Sequence, residues 1–260
     1  MTSNTRTNNA FRAKERTSGT APPPGTVDLY CGVTPALLEY FGNAWDKGTL
    51  CMLSGTADRQ INKEKYEKTT VREHHTKHVH PKRALEPVNR VELSKCNKEG
   101  VDYVLRWINS NSRSNLKPIE ISKTLFPNGP PSFATLIYIH QADHAFRLKR
   151  EIRGQAVRDA IFKHIHNRDR AHVITYSDFK VACEEVDFDA RIRDNMMHQV
   201  MWRSIDGTMV EEELARIQQY CWEHGLYEEM LAHGEKCIQV KQHSREKQGK
   251  MYGRPIQHGW

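Results

Sequence analysis

Three observations predict a mainly helical fold: a helical body with short β pieces and flexible basic arms at its N- and C-terminal ends. Apolar residues recur at helical spacing through most of residues 100–240. Strand-like apolar runs are few and short. Both ends are polar and basic, punctuated by Gly and Pro instead of a periodic pattern.

Residues 1–26 read as a disordered basic tail. Arg6, Arg12, Lys14 and Arg16 stand against Glu15, and Pro22-Pro23-Pro24-Gly25 closes the segment. Such a stretch buries too little apolar surface to offset the entropy of ordering it. Residues 27–99 form a small polar, basic N-terminal region. Pro35 sits at the first position of a predicted helix over PALLEYFGNAW, with Leu37, Leu38 and Phe41 on one side and Gly42 as its stop. Leu50, Met52 and Leu53 read as a buried strand. Residues 57–99 hold eleven Lys/Arg and seven Asp/Glu. They are expected to form a long loop, or an arm that orders on a partner.

A helical domain spans 100–240. Val101, Val104, Leu105 and Ile108 fall at i, i+3, i+4 and i+7. Pro118 opens a short helix, IEISKTLF, which Asn128-Gly129-Pro130-Pro131 stops. Ser132 caps the next helix, which is expected to run through the basic stretch Arg147–Arg153; Thr135–Ile139 is also compatible with a strand. Val157, Ala160, Ile161, His164 and Ile165 mark a further helix, and His172–Tyr176 a short strand. Ser177 caps a helix with Phe179, Val181 and Ala182. After a turn at Val186–Asp189 comes a helix with Ile192, Met196, Met197, Val200 and Met201. Thr208 and Glu211 form a capping box for a helix that Gly225 stops. A last helix covers about Leu226–Val240, and residues 241–260 read as a second basic tail.

Residues 101–153 and 157–203 share one outline: amphipathic helix, polar turn, short helix, turn, longer helix. That repeat is compatible with tandem (winged) helix-turn-helix units.

Charge divides the chain. The net charge is +7, yet residues 178–230 carry five Lys/Arg against thirteen Asp/Glu. An acidic surface repels phosphate and suits a protein contact, so homo-oligomerisation through 178–230 is expected. Basic charge lies in the tails, in 57–99 and in 147–170. Lys and Arg that neutralise phosphates release counterions and bind nucleic acid, DNA or RNA, irrespective of sequence. The candidate phosphate contacts are Arg72, Lys77, Lys82 and Arg83 in the N-terminal region, and Arg147, Lys149, Arg150, Arg153 and Arg158 further on.

Metal-type donors occur twice. His74, His75, His78 and His80 form a dense run; His74 and His78 are i, i+4, and His78 and His80 share a strand face. With Cys31 or Cys51 they have zinc-binding chemistry. Among Arg72, Lys77, Lys82 and Arg83 they read more naturally as a partly protonated basic patch, so no cofactor is expected unless His74, His78 and His80 take zinc. His140-Gln-Ala-Asp143-His144 resembles the H-x-x-E-H arrangement of some metalloproteases, but Asp is shorter than Glu and no third ligand is evident. The six cysteines contain no C-x-x-C and are expected to be reduced, buried thiols. No P-loop, G-x-G-x-x-G or G-x-S-x-G is present, and no catalytic set is assigned.

A length of 260 residues and a mean hydropathy of −0.74 fit one large domain or two ordinary ones. No apolar run is long enough for a membrane span and the N-terminus has no apolar stretch. The expected location is therefore cytoplasmic, nucleoid- or particle-associated, without membrane contact or secretion. The leading expectation is a non-enzymatic nucleic-acid-binding protein: a replication or transcription regulator, or a nucleoprotein coating a viral or mobile-element genome. One alternative is an assembly protein of a larger particle whose basic tails pack on the acidic 178–230 region of a neighbour. Another is a metal-dependent hydrolase or nuclease using His140 and His144 or the 74–80 run.

Overall fold

A computed structural model describes residues 26–32, 39–62, 90–110, 117–121, 126–127, 129–149, 152–167, 169 and 172–252. The expected 1–26 arm apart from Thr26, residues 253–260 of the expected 241–260 arm, the Pro35 helix start and residues 63–89 of the expected 57–99 loop lie outside these residues. Among the described residues are three strands and nine helices: β1 (Thr26–Gly32), β2 (Glu39–Asp46), α1 (Lys47–Leu53), α2 (Gly55–Ile61), β3 (Arg90–Ser94), α3 (Lys98–Ser110), α4 (Phe133–Phe146), α5 (Gln155–Ile165), α6 (Tyr176–Glu184), α7 (Ala190–Ile205), α8 (Glu211–Glu223) and α9 (Tyr227–Tyr252). The mainly helical expectation holds. None of the helices is long and apolar enough to cross a membrane. The chain divides into two compact units, 1–130 with 138–157, and 131–137 with 158–260.

The first unit is built on a three-stranded sheet of order β2-β1-β3. β1 pairs antiparallel with β2 and parallel with β3. Val27, Leu29 and Cys31 alternate along β1 and are all buried, as are Val91 and Leu93 on β3. The periodic set Val101, Val104, Leu105 and Ile108 is buried along α3, and Tyr103 and Trp107 widen the buried face. The outer edge of β3 is closed by a side chain. Gln60 of α2 donates from Nε2 to the Glu92 carbonyl at 2.9 Å, and its Oε1 accepts from the Glu92 N–H at 2.7 Å. A carboxamide thus stands in for a strand partner on an edge that would otherwise template pairing.

The second unit is helical. Ile161 and Ile165 of α5, Phe179 and Ala182 of α6, Met196, Met197 and Val200 of α7, Ile217 and Cys221 of α8, and Met230 and Cys237 of α9 form its core. α7 packs along α9. Gly234 permits the approach, since a Cβ there would meet Met201 Cε at 2.7 Å.

Several elements differ from the sequence reading. Leu50–Leu53 belongs to α1, not to a strand; Leu50 and Leu53 are both buried, three residues apart. A four-residue apolar run carries no period that separates the two. Glu39–Asp46 is strand β2, not the end of a helix, because pairing with β1 overrides its local preference. Within the expected 57–99 loop, residues 57–61 belong to α2 and 90–94 to β3. Residues 117–121 form no helix. Their backbone groups bond at a distance instead: the Ile119 N–H donates to the Ile152 carbonyl at 3.3 Å and Tyr103 Oη donates to the Glu120 carbonyl at 2.8 Å.

α4 stops at Phe146 instead of running to Arg153. Arg147 has φ +50. Its N–H donates to the His144 carbonyl at 3.0 Å, and the Leu148 N–H donates to the Asp143 carbonyl at 3.4 Å. That pair of bonds is a Schellman motif with a left-handed C′ residue, usually glycine. Arginine there hid the stop. Residues 172–175 form no strand; Thr175, not Ser177, caps α6, in a reciprocal box with Asp178. The N-cap of α8 is Val210, without a side-chain bond, so the Thr208 capping box does not form. Thr208 Oγ1 instead donates to the Arg203 carbonyl at 3.4 Å. α9 continues to Tyr252, well past Val240.

The helices over Lys98–Ser110 and Gln155–Ile165 form as read, as do two successive helices, α6 and α7, after residue 175. So does the Ser132 cap, whose Oγ accepts from the Thr135 N–H at 3.1 Å. Gly225, at φ +68, follows α8 as the expected stop.

Candidate functional site

Of the candidate phosphate contacts, Arg72, Lys77, Lys82, Arg83 and Arg150 lie outside the described residues, as do His74, His75, His78 and His80. Arg147, Lys149 and Arg153 are exposed in the first unit, on the turn after α4, not on a helix face. Arg153 Nε donates to the Leu148 carbonyl at 3.0 Å, which holds its stem against that turn. Arg158, in the second unit, is ion-paired with Asp189 at 3.1 Å and lies over the Phe162 ring.

The His140–Asp143–His144 set does not converge. Asp143 is 8% exposed and its Oδ2 accepts from the Gly154 N–H at 3.2 Å. Burial raises its carboxyl above the usual range, against the opposing pull of the Gly154 bond, His140 and Arg153. His144, by contrast, is exposed. The carboxylate therefore organises the turn after α4.

In the second unit, His164 Nε2 lies 3.4 Å from Asp178 Oδ2, with the His172 ring edge-on to His164 and Phe133 stacked on it. Burial pushes Asp178 up, but the His164 ring and the Thr175 cap outweigh it and hold the carboxyl low. Arg203, buried on α7, donates to the carbonyls of His172 and Asn167 and so ties both residues to that helix. Beside it opens a cleft of about 610 Å³ whose lining includes His166, Asn167, Gln199, Trp202, Arg203 and Asp206.

Two further features lie on α7–α9. The first is a surface. Trp222, at the end of α8, is 71% exposed, and the Tyr227 ring meets it edge-on at 5.6 Å. From Tyr227 onward, Glu228, Leu231, Glu235 and Ile238 follow at spacings of three, four and three, one helical face. All four are exposed, as is Glu223 beside Trp222. Large exposed apolar groups rimmed by charge are the informative kind of surface.

The second is a donor cluster at the α7–α9 seam. One oxygen each of Asp194 and Glu229 and one ring nitrogen of His233 lie within 4.8 Å of one another, all three half-buried. Glu229 also accepts from Arg193 Nη2 at 3.3 Å. His198 follows Asp194 by one turn. Its Nδ1 lies 3.5 Å from Cys237 Sγ, and its ring is 6.2 Å from that of His233. Burial, then the charges of His233, His166 and Lys236, hold His198 below its ordinary pKa. Burial pushes the Cys237 thiol up. Sequence reasoning passed over this cluster. The available signal was two i, i+4 pairs, Asp194/His198 and Glu229/His233, thirty-five residues apart.

Comparison with known proteins finds no matching family model, no matching curated protein and no matching solved structure.

Proposed function

We propose that this chain is an assembly protein whose helical unit takes a basic segment of a second copy on the α8–α9 face. The observation that carries this is Trp222, 71% exposed among carboxylates. A rigid aromatic offers large contact area at small entropic cost, and Trp and Tyr dominate binding hot spots. An Arg or Lys side chain gains a cation–π contact on the ring together with charge pairing to Glu223, Glu228 or Glu235. Leu231 and Ile238 continue the apolar contact one and three turns along α9. The chain supplies a complementary occupant in residues 1–26, which carry four Lys/Arg against one Glu; most of the 241–260 cations belong to α9 instead.

Light scattering of nuclease-treated, chromatographed protein tests this. Association is expected at low salt and dissociation at high salt, since exposed charges are screened within about 10 Å at 0.1 M. Trp222→Ala and the double variant Glu228→Lys/Glu235→Lys should each weaken it about tenfold or more. A monomer at every salt concentration, or association untouched by both variants, defeats the reading.

Nucleic-acid binding is a second reading, favoured by the exposure of Arg147, Lys149 and Arg153 on one turn. The α6–turn–α7 order is compatible with a helix-turn-helix. In this reading phosphate meets Arg147, Lys149 and Arg153 and not the acidic second unit, whose charge would repel it. Its test is a salt titration of binding to random duplex DNA or RNA, before and after replacing the three cations with Gln. Binding that is unchanged, or a salt slope that does not flatten, rejects it.

A further inference from the structure

We propose that Asp194, Glu229 and His233 form a binding site for a divalent first-row transition metal at the α7–α9 seam, with zinc the ion to test. The site goes beyond self-association and does not depend on it.

The donor set is two carboxylates and one imidazole, which suits zinc and its neighbours better than calcium or magnesium, which prefer all-oxygen shells. Zinc takes such ligands at roughly 2.0–2.2 Å, which places donors roughly 3–4 Å apart. The three atoms already lie within 4.8 Å, so closure needs only small side-chain rotations. Glu229 and His233 are one turn apart on α9, and Asp194 reaches them from α7, so the ligands come from two helices packed along each other. Gly234, next to His233, lets the two helices approach closely. That packing fixes the backbone beneath all three donors.

Charge at the site is balanced by Arg193, whose Nη2 donates to Glu229 Oε1. This ion pair orients the carboxylate, and Lys236 lies close enough to His198 to act on it electrostatically. His198 and Cys237 lie beside the triad, one turn from Asp194 and from His233 respectively. Three protein ligands leave at least one position of a four-coordinate ion for water, the arrangement of a zinc ion that is not purely structural.

Isothermal titration of the full chain with zinc chloride in chelator-treated buffer tests the site, with circular dichroism as the check on folding. Wild type is expected to show a saturable site in which Asp194→Asn, Glu229→Gln and His233→Ala each weaken zinc binding about tenfold or more. His243→Ala, an exposed histidine on the same helix, should leave that affinity unchanged. The metal-free variants should keep the wild-type dichroism, and Glu229→Gln, nearly isosteric, keeps the test decisive if His233→Ala does not fold. No saturable uptake by wild type overturns the proposal. So does equal affinity in the triad variants, which would put the ion elsewhere, for instance on the His74–His80 run. Loss of the site in His243→Ala would overturn it as well.

Discussion

Ser54 Oγ donates to the Phe146 carbonyl at 2.6 Å while accepting from the Ala57 N–H at 3.1 Å. One hydroxyl, 0% exposed, therefore caps the start of α2 and a carbonyl at the end of α4. Thr56 Oγ1 does the same for the Ala145 carbonyl at 2.7 Å. The carbonyls that every helix leaves orphaned at its C-terminus are thus bonded by a segment ninety residues earlier in the chain.

Ser54→Ala is expected to cost about 2–3 kcal/mol. The lost N-cap accounts for about 1 kcal/mol and a buried carbonyl without its donor for the rest. Thr56→Ala, at a partly buried site without the capping role, should cost about 1 kcal/mol. Denaturant unfolding of the two variants gives the order. Equal small losses would show that the α2–α4 junction is not bonded as described.

Gly100 holds α3 against α4. A Cβ at that position would lie 1.9 Å from the Tyr138 carbonyl oxygen and 2.3 Å from its carbon, both backbone atoms that cannot rotate aside. Alanine gains about 1 kcal/mol of helix propensity over glycine. Forcing the helices apart outweighs that, so Gly100→Ala should destabilise by about 3 kcal/mol. A variant as stable as wild type in thermal unfolding would contradict the close approach.

How much of this was legible in the sequence follows from the range of the interactions. Val101, Val104, Leu105 and Ile108 announce α3 because their burial and their period are the same fact. β1 alternates too, through Val27, Leu29 and Cys31, but three positions are a weak signal. Its parallel partner β3 lies some sixty residues further on. The α4 stop was hidden because the left-handed C′ residue is Arg147, where the usual mark is glycine. Of the acidic surface, the charge was legible and the exposure of Trp222 was not. The donor cluster required knowing that α7 lies along α9; each pair alone looks like an ordinary polar helix face.

Acid should destabilise the second unit already above the ordinary carboxylate range. His172 and His198 both have pKa values held below the ordinary 6.5. Burial is the main cause in each; the charges of His164 and Arg203 add to it at His172, against the His164 backbone bond and Asp178. The folded state thus favours the neutral rings, and the unfolded chain takes up protons more readily. Stability from these two groups is complete above the unfolded value and falls as pH drops below 6.5 towards the lowered folded values. Asp178, held below 3.8, is lost only at still lower pH. Melting temperatures between about pH 7.5 and pH 5.5 should therefore fall, a window in which histidines are the only side chains that titrate at their ordinary values. The fall should be smaller in His198→Gln and smaller again in His172→Gln/His198→Gln. A slope unchanged in the double variant would remove these rings as the cause.

Arg147 separates backbone strain from charge. Its φ of +50 places a non-glycine residue in the left-handed region, at a cost of about 1 kcal/mol. Arg147→Gly relieves that cost and keeps both Schellman bonds, so stability should rise, by less than about 1 kcal/mol. The gain is partly offset by the greater freedom of glycine in the unfolded chain. Arg147→Gln leaves the strain in place and should be close to neutral for stability. Both variants remove the same cation. If the turn contacts phosphate, both weaken duplex binding alike and flatten the slope of log K against log salt by about 0.9. Stabilisation by glycine alone, with binding reduced equally in both, supports the turn geometry and the phosphate contact together. Binding untouched in both retires Arg147 as a phosphate contact while leaving the Schellman stop intact. Destabilisation by glycine reverses the structural argument, because then the arginine side chain, and not the left-handed backbone, is what ends α4.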